Sequence, residues 1–481
     1  MKPRLLTHVV ALPAAIVSSS ASSARHRIIC KTTTYRLIER YYPEFERSYD
    51  ERYQQRYGTW RPIIGEVARK FLRCGDLHFG FARVRCTGCP HEMFVPFSCQ
   101  QRCLCPSCHQ KRSLLLAKRI AQGICQRVPH RQIVWTIPKR LRIFFRFDRR
   151  LLGGLARAAW ETVVEVFRSV LGSDDVLPGA IAGIQTFGDL IHFHPHIHVI
   201  ATDGAYRPDG TFICLPPMDT RRLLSVWQRK VFDLLLGEGK IDQELVDQMK
   251  AWQNSGFSVD NSVYLPAGDT SGLQRLAEYM VRCPFSLARI VRVTESGSVV
   301  YRAQKGDCRR FPTPASRDLA GGASRNFQVF DALDFLAELT QHIPDKGEHL
   351  VRYFGWYSYR RRGMHAKEAS TGEVKIDRRL VGEARSAAKA KSSGTASSWA
   401  ALVKRVFEVD PLECPQCGSR MKVVSFIERS QRDIVENILR HCGLWEGPLR
   451  TLAGPRGPPG RFEESLDEPR ELQLVLDPEF L

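Results

Sequence analysis

Between Ile191 and Ile200 the chain runs IHFHPHIHVI, so that histidines at 192, 194, 196 and 198 alternate with Phe193, Pro195, Ile197 and Val199. Alternation with a period of two belongs to an extended strand, whose successive side chains point to opposite faces. The run therefore predicts a strand with one apolar face and one face of imidazoles. His196 and His198, separated only by Ile197, stand on the same face and can grip one divalent cation, because neutral imidazole is a good ligand for borderline metals. A lone strand histidine is ordinarily a packed or surface residue, but a series of four at this spacing builds a shared polar face.

The rest of the composition says what such a face would act on. Lys and Arg number 71 against 51 Asp and Glu, a formal charge of +20. That excess favours a polyanionic partner through counterion release, and nucleic acid is the obvious one. Basic and aromatic residues also interleave in YFGWYSYRRRG, residues 353–363. The fifteen cysteines include close Cys-x2-Cys pairs, which suit thiolate metal sites in a reducing compartment better than disulfides. The opening MKPRLLTHVVALPAAIVSSSASSA has the outline of a secretory leader, but His8 and Pro13 break its apolar run, and it is read as an unstructured extension. No run of 18 or more apolar residues occurs, so no spanning helix and no membrane partner are expected. The expectation is a cytoplasmic protein that joins the nucleoid when bound to DNA.

Cys86-x2-Cys89 and Cys105-x2-Cys108 form two knuckles fifteen residues apart, which predicts one structural zinc held by Cys86, Cys89, Cys105 and Cys108. Cys74, Cys99, Cys103 and His91 lie close by as alternates or as ligands of a second ion. A further half-site, Cys414-x2-Cys417 in ECPQCGSRM, lacks a following Cys-x2-Cys, and only His441 and Cys442 offer themselves nearby as partners for a second zinc. The helix after the second knuckle, HQKRSLLLAKR, is basic enough to lie along phosphates.

The segment SGLQRLAEYMVR, residues 271–282, predicts a helix capped by Ser271 and stopped by Pro284, with Leu273, Leu276, Ala277, Met280 and Val281 as its buried stripe. On that wheel Tyr279 falls at the stripe's edge, beside Arg275 and Arg282, where its hydroxyl can meet a phosphate flanked by two cations. A tyrosine there is a workable nucleophile toward DNA if a divalent cation polarises the phosphate, since an unaided phenol titrates near pH 10.

Along the chain, residues 1–33 read as the extension, 34–112 as helices followed by a zinc-binding module, 113–364 as the main α+β domain, 365–399 as a linker, 400–453 as a CxxC-containing helical region and 454–481 as a flexible tail. In the main domain a strand over 131–138, a helix over about 149–171 and two strands joined by a Gly188–Asp189 turn suggest an antiparallel sheet with flanking helices.

These residues resemble the HUH endonucleases, and within them the rolling-circle transposases of the insertion sequence ninety-one and common-region element group. FLRCGDLHFGFARVRCTGC with FSCQQRCLCPSC resembles that group's amino-terminal zinc module, VWTIPKRLR its first nuclease strand, IQTFGDLIHFHPHIHVIATDG its histidine strand and LAEYMVRCPFSLARI its tyrosine helix. The resemblance covers about residues 35–450. It implies a central antiparallel HUH sheet, a zinc-ribbon-like module before it and a small zinc-knuckle region after it. It further implies Mg²⁺ or Mn²⁺ on His196 and His198, attack by Tyr279 on single-stranded DNA at the element's ends, a 5′-phosphotyrosine intermediate and strand transfer without ATP. A second tyrosine four residues from the first is missing, since positions 275 and 283 are Arg275 and Cys283, so a single nucleophile is implied. Some relatives supply a third ligand as a glutamine four residues after the tyrosine, where Cys283 stands; Gln185 on the preceding strand is the substitute expected here. The segment GDCRRFPTPASRDLAGGA, residues 306–323, does not follow the pattern, as in a locally frameshifted or degraded element. Rival readings are a plasmid replication initiator or relaxase of the same chemistry, a non-catalytic zinc DNA-binding protein, and a histidine-triad nucleotide hydrolase, which would leave Tyr279 without a task.

Overall fold

The computed structural model describes residues 32–303, 309–310, 324–368 and 413–445. Nearly all of the amino-terminal extension, most of the atypical 306–323 segment, nearly all of the 365–399 linker and the tail beyond 454 lie outside the described residues.

A mixed architecture of helices and antiparallel sheets results. The central sheet has six strands, with Val351–Gly355, Gly179–Phe187, Phe193–Thr202, His130–Thr136 and Ser258–Asp260 in that order, and Tyr264–Leu265 also pairing with His130–Thr136. Every pairing in it is antiparallel. The histidine strand Phe193–Thr202 sits at the middle, hydrogen-bonded on both edges, so its alternation sorts two sets of side chains completely. Phe193, Ile197, Val199 and Ala201 join Ile133, Trp135 and Ile184 beneath the long helix Arg150–Leu171 and the helix Thr220–Gly237. Trp227 of the latter fixes this layer by donating its indole hydrogen to the Thr136 carbonyl at 3.0 Å. The opposite face carries the polar histidines at one end and Ile181 and Ile200 at the other, covered by Leu273, Ala277 and Met280 of the helix Thr270–Met280.

The amino-terminal helices do not form a unit of their own. Thr33–Arg52 buries Tyr35, Leu37, Ile38, Tyr42, Phe45 and Tyr49, and this broad aromatic face is covered by the helices Pro62–Leu72 and Ala332–Thr340 and by a small sheet of Ile290–Val293, Ser298–Arg302 and Phe327–Asp331. Polar contacts tie the same junction, with Tyr53 donating to Asp334 at 2.8 Å and Arg61 donating to the carbonyls of Thr340 and Ile343, both at 2.8 Å. The boundary drawn near residue 112 is thus not a boundary of packing. Similarly, Met421–Glu428 pairs along the whole length of Gly80–Cys86, which pairs in turn with Glu92–Pro96, so residues 413–445 return to the cysteine-rich module. No helix among the described residues is long and apolar enough to cross a membrane.

Candidate functional site

On the polar face of the central strand, the ring centroids of His194 and His196 lie 5.2 Å apart and those of His196 and His198 4.9 Å apart. His192 does not join them. It precedes the strand and is held by Glu338 at 3.3 Å and Gln328 at 2.7 Å. The turn before the strand is itself constrained, because the fully buried Ile191 has φ +66°, a left-handed conformation that a β-branched residue rarely adopts. His342 holds that turn, with Nε2 2.6 Å from the Ile191 carbonyl oxygen and Nδ1 2.9 Å from the Thr186 hydroxyl.

Each histidine of the pair is oriented by its second nitrogen. His196 Nδ1 donates to the His194 carbonyl at 2.8 Å, and His198 Nδ1 lies 3.0 Å from the Gln132 side-chain amide. Burial holds the pKa of His196 down at about 4 and that of His198 at about 3, with the positive charge of Arg282 adding to both. Both imidazoles are therefore neutral across the physiological range, the form that ligates metal. His198 Nε2 and Gln185 Oε1 are buried polar atoms with no hydrogen-bond partner among the described residues. Gln185 faces His196 in the strand register. Two partnerless buried polar atoms beside a pair of neutral imidazoles make His196, His198 and Gln185 a ligand set of the chemical kind that suits a divalent cation.

The tyrosine helix Thr270–Met280 is capped by Asp269, whose side chain accepts from the Gly272 amide at 2.8 Å, rather than by the expected Ser271. A carboxylate two residues earlier reaches the free amides of the first turn and also answers the helix dipole. Leu273, Ala277 and Met280 are buried as expected, while Leu276 and Val281 are only partly covered. Tyr279 is 44% exposed, and its ring stands edge-on to His198 with 5.5 Å between centroids. The Arg282 guanidinium lies 4.4 Å from the Tyr279 ring centroid and 5.3 Å from that of Phe187. Arg275, one turn before Tyr279, is exposed on the same face of the helix.

Gln185 and three further residues, which only their surroundings reveal, fix where this helix ends. Gln185 donates both amide hydrogens to the helix, to the carbonyls of Tyr279 and Met280, each at 2.9 Å. His109 and Ser113, on the helix Pro106–Arg119, both meet the Val281 carbonyl at 2.8 Å. Gly183, opposite His198 in register, leaves room for Met280, because a Cβ there would overlap the methionine side chain and sit 3.3 Å from its carbonyl oxygen.

The cysteines are grouped differently from the sequence expectation. Cys86 and Cys89 do not meet Cys105 and Cys108; one cluster unites Cys74, Cys99, Cys105 and Cys108, and another unites Cys86, Cys89, Cys414 and Cys417, the ligand atoms of each lying within 4.8 Å of one another. The reason is the hairpin. Cys86 ends the seven-residue strand Gly80–Cys86, whose length of roughly 20 Å separates it from the end of the hairpin at which Cys74 and Cys99 stand. Cys103, His91, His441 and Cys442 belong to neither cluster. Sγ separations in the first cluster are 3.8 Å for Cys74–Cys105 and 3.6 Å for Cys74–Cys108 and Cys99–Cys108. Four sulfurs placed tetrahedrally at the usual zinc–thiolate length of about 2.3 Å would be about 3.8 Å apart.

Residues 44–137 match the family model described as "Transposase zinc-binding domain", and residues 179–364, which include the histidine strand and the tyrosine helix, match the one described as "Putative transposase". The chain is 24% identical over 382 residues to the "Transposase for insertion sequence element IS801" of Pseudomonas savastanoi pv. phaseolicola, covering 76% of this chain and 84% of the relative. It is also 24% identical over 341 residues to "Putative transposase y4qJ" of Sinorhizobium fredii (strain NBRC 101917 / NGR234), covering 66% of this chain and 80% of the relative. No solved structure matches it. The protein is thus a transposase. The two matches and the IS801 relative together support an IS91-family transposase with an amino-terminal zinc-binding domain, and the cysteine cluster lying wholly inside the matched zinc-binding stretch supports structural zinc.

Proposed function

We propose that this transposase cuts and rejoins single-stranded DNA at the ends of its element, as a rolling-circle HUH enzyme with Tyr279 as its single nucleophile. The observation that carries the reading is the half-exposed Tyr279 ring standing 5.5 Å from His198, on a helix whose last carbonyls are pinned by Gln185. The phenolic oxygen forms a bond to the scissile phosphorus as the bond to the 3′ oxygen breaks. The enzyme then carries the 5′ phosphate, and a free 3′-hydroxyl remains. Return of that hydroxyl, or arrival of another, reverses the exchange, so the phosphodiester energy is kept and no ATP is needed.

A divalent cation such as Mg²⁺ or Mn²⁺, when bound by His196, His198 and Gln185, would draw charge from the phosphate oxygens. The chain's own residues do the positioning. The His194 carbonyl accepts from His196 Nδ1 and so leaves that ring's Nε2 lone pair for the site, while the Gln132 side-chain amide, 3.0 Å from His198 Nδ1, fixes the orientation of the second ring. Arg282, stacked on the Tyr279 ring, and Arg275 one turn earlier receive the flanking phosphates. The test is to incubate the full chain with labelled single strands from the element's ends and Mn²⁺, then examine both product ends. A free 3′-hydroxyl with a protein-blocked 5′ end supports the reading; a free 5′-phosphate contradicts it.

A further inference from the structure

The second cysteine cluster joins parts of the chain that lie far apart in sequence. Cys86 and Cys89 come from the hairpin turn of the amino-terminal module, Cys414 and Cys417 from a turn more than three hundred residues later, and the Sγ atoms of Cys86 and Cys417 are 3.4 Å apart and those of Cys89 and Cys414 3.6 Å apart. These spacings lie close to the edge of a zinc–thiolate tetrahedron. Half of the cluster falls outside the matched zinc-binding stretch, residues 44–137.

Local backbone geometry serves the same end. The Gly88 amide donates to Cys86 Sγ at 3.3 Å, the Gly418 amide donates to the Cys414 carbonyl at 2.9 Å, and Gly418 has φ +70°. Each half is thus a tight turn that presents two sulfurs on one side, and the Thr87 amide, at 3.0 Å from the Arg420 carbonyl, ties one turn to the other. Apolar packing at this junction is slight. Phe81, Ile427, Val435 and Leu439 form one small buried cluster, and in the other Val84 and Met421 are joined by two of the cysteines themselves. Val424 and Phe426 of the docked strand remain exposed. So small a core is a weak anchor for a segment of some thirty residues, which is the situation in which a metal supplies folding energy.

We infer that Cys86, Cys89, Cys414 and Cys417 hold a second zinc ion, which clasps the segment 413–445 onto the amino-terminal module. The protein then carries two structural zincs, one local and one shared between its two ends. A zinc count on the purified full chain tests this. The wild type should hold two zincs, and the paired change Cys414→Ser with Cys417→Ser should lower the count to one. Adding Cys86→Ser and Cys89→Ser to that pair should leave the count at one, because all four residues serve the same ion. Combining the Cys414 and Cys417 changes with Cys105→Ser and Cys108→Ser should lower it to none. The change Cys417→His, which keeps a ligand, should retain two, and this shows that the losses come from ligation and not from unfolding. Retention of two zincs without Cys414 and Cys417 overturns the inference. The clasp is tested separately by inserting a protease site between residues 369 and 412. After cleavage the carboxy-terminal piece should stay with the remainder in gel filtration when the cluster is intact and separate when Cys414 and Cys417 are serines. Its retention in the serine variant refutes the clasp.

Discussion

The Nε2 atom of His109 lies 2.8 Å from the carbonyl oxygen of Val281, two residues after Tyr279. The Cys103 amide donates to the other ring nitrogen at 3.0 Å, so His109 Nε2 carries the hydrogen and donates to that carbonyl. His109 directly follows Cys108 of the first cysteine cluster. The zinc-binding module and the end of the tyrosine helix are therefore joined through one imidazole, with the Ser113 hydroxyl on the same carbonyl.

Replacing His109 by Ala should loosen the end of that helix. It orphans the buried Cys103 amide and removes one of two donors to Val281, at a cost of about 1–3 kcal/mol. Covalent adduct formation should fall several-fold, while affinity for the DNA end, measured by fluorescence anisotropy, changes little. An adduct rate equal to wild type in a variant of reduced stability would show that the contact is structural only.

Gly183→Ala should act on the same helix from the sheet side. The added methyl group meets Met280 and must displace it or the helix. Overpacking of this kind costs about 1–3 kcal/mol. Chemical denaturation should report that loss together with a drop in adduct yield, and Met280→Ala in the same chain should recover part of the yield by making room.

Metal dependence should follow the histidine pair and its support. His196→Ala with His198→Ala should abolish cleavage at any Mn²⁺ concentration, and EDTA should do the same to the wild type. Gln132→Leu keeps both ligands but removes the partner of His198 Nδ1. It should weaken Mn²⁺ binding by about 10–100-fold, read as a shift in the metal concentration giving half-maximal cleavage. An unshifted curve would contradict the role of Gln132.

Acid should destabilise the fold through histidines outside the metal site. Burial holds His130 and His342 at about 4, below the ordinary 6.5. Below pH 6.5 the unfolded chain takes up protons that the folded chain refuses, so their contribution is complete above pH 6.5 and is lost as pH falls toward 4. By pH 5 each should have cost about 2 kcal/mol. Urea unfolding at pH 7 and pH 5 measures this, and equal stabilities would refute it.

The histidine strand was legible because its period of two survives in the middle of a sheet, where both faces are specified. The tyrosine helix was legible from its apolar stripe, although the capping role passed from Ser271 to Asp269. Gln185 was placed on the strand beside His196, but its double grip on the tyrosine helix depends on how that helix crosses the sheet, which no linear pattern records. Gln132, Gly183 and His109 were missed for the same reason: each matters through one neighbour distant in sequence. The cysteine pairing was drawn wrongly because spacing alone counts residues between knuckles. A hairpin instead sends neighbouring knuckles to opposite ends and brings in Cys414 and Cys417 from the far end of the chain.

The most direct measurement is adduct formation by Tyr279→Phe on single-stranded element ends with Mn²⁺, with peptide mapping of the wild-type adduct. The wild type should yield a denaturant-stable DNA conjugate on the peptide containing Tyr279, and the phenylalanine variant should yield none while binding the DNA nearly as well. A conjugate of wild-type abundance in the variant, or one mapped to another residue, would contradict the assignment of Tyr279 as nucleophile.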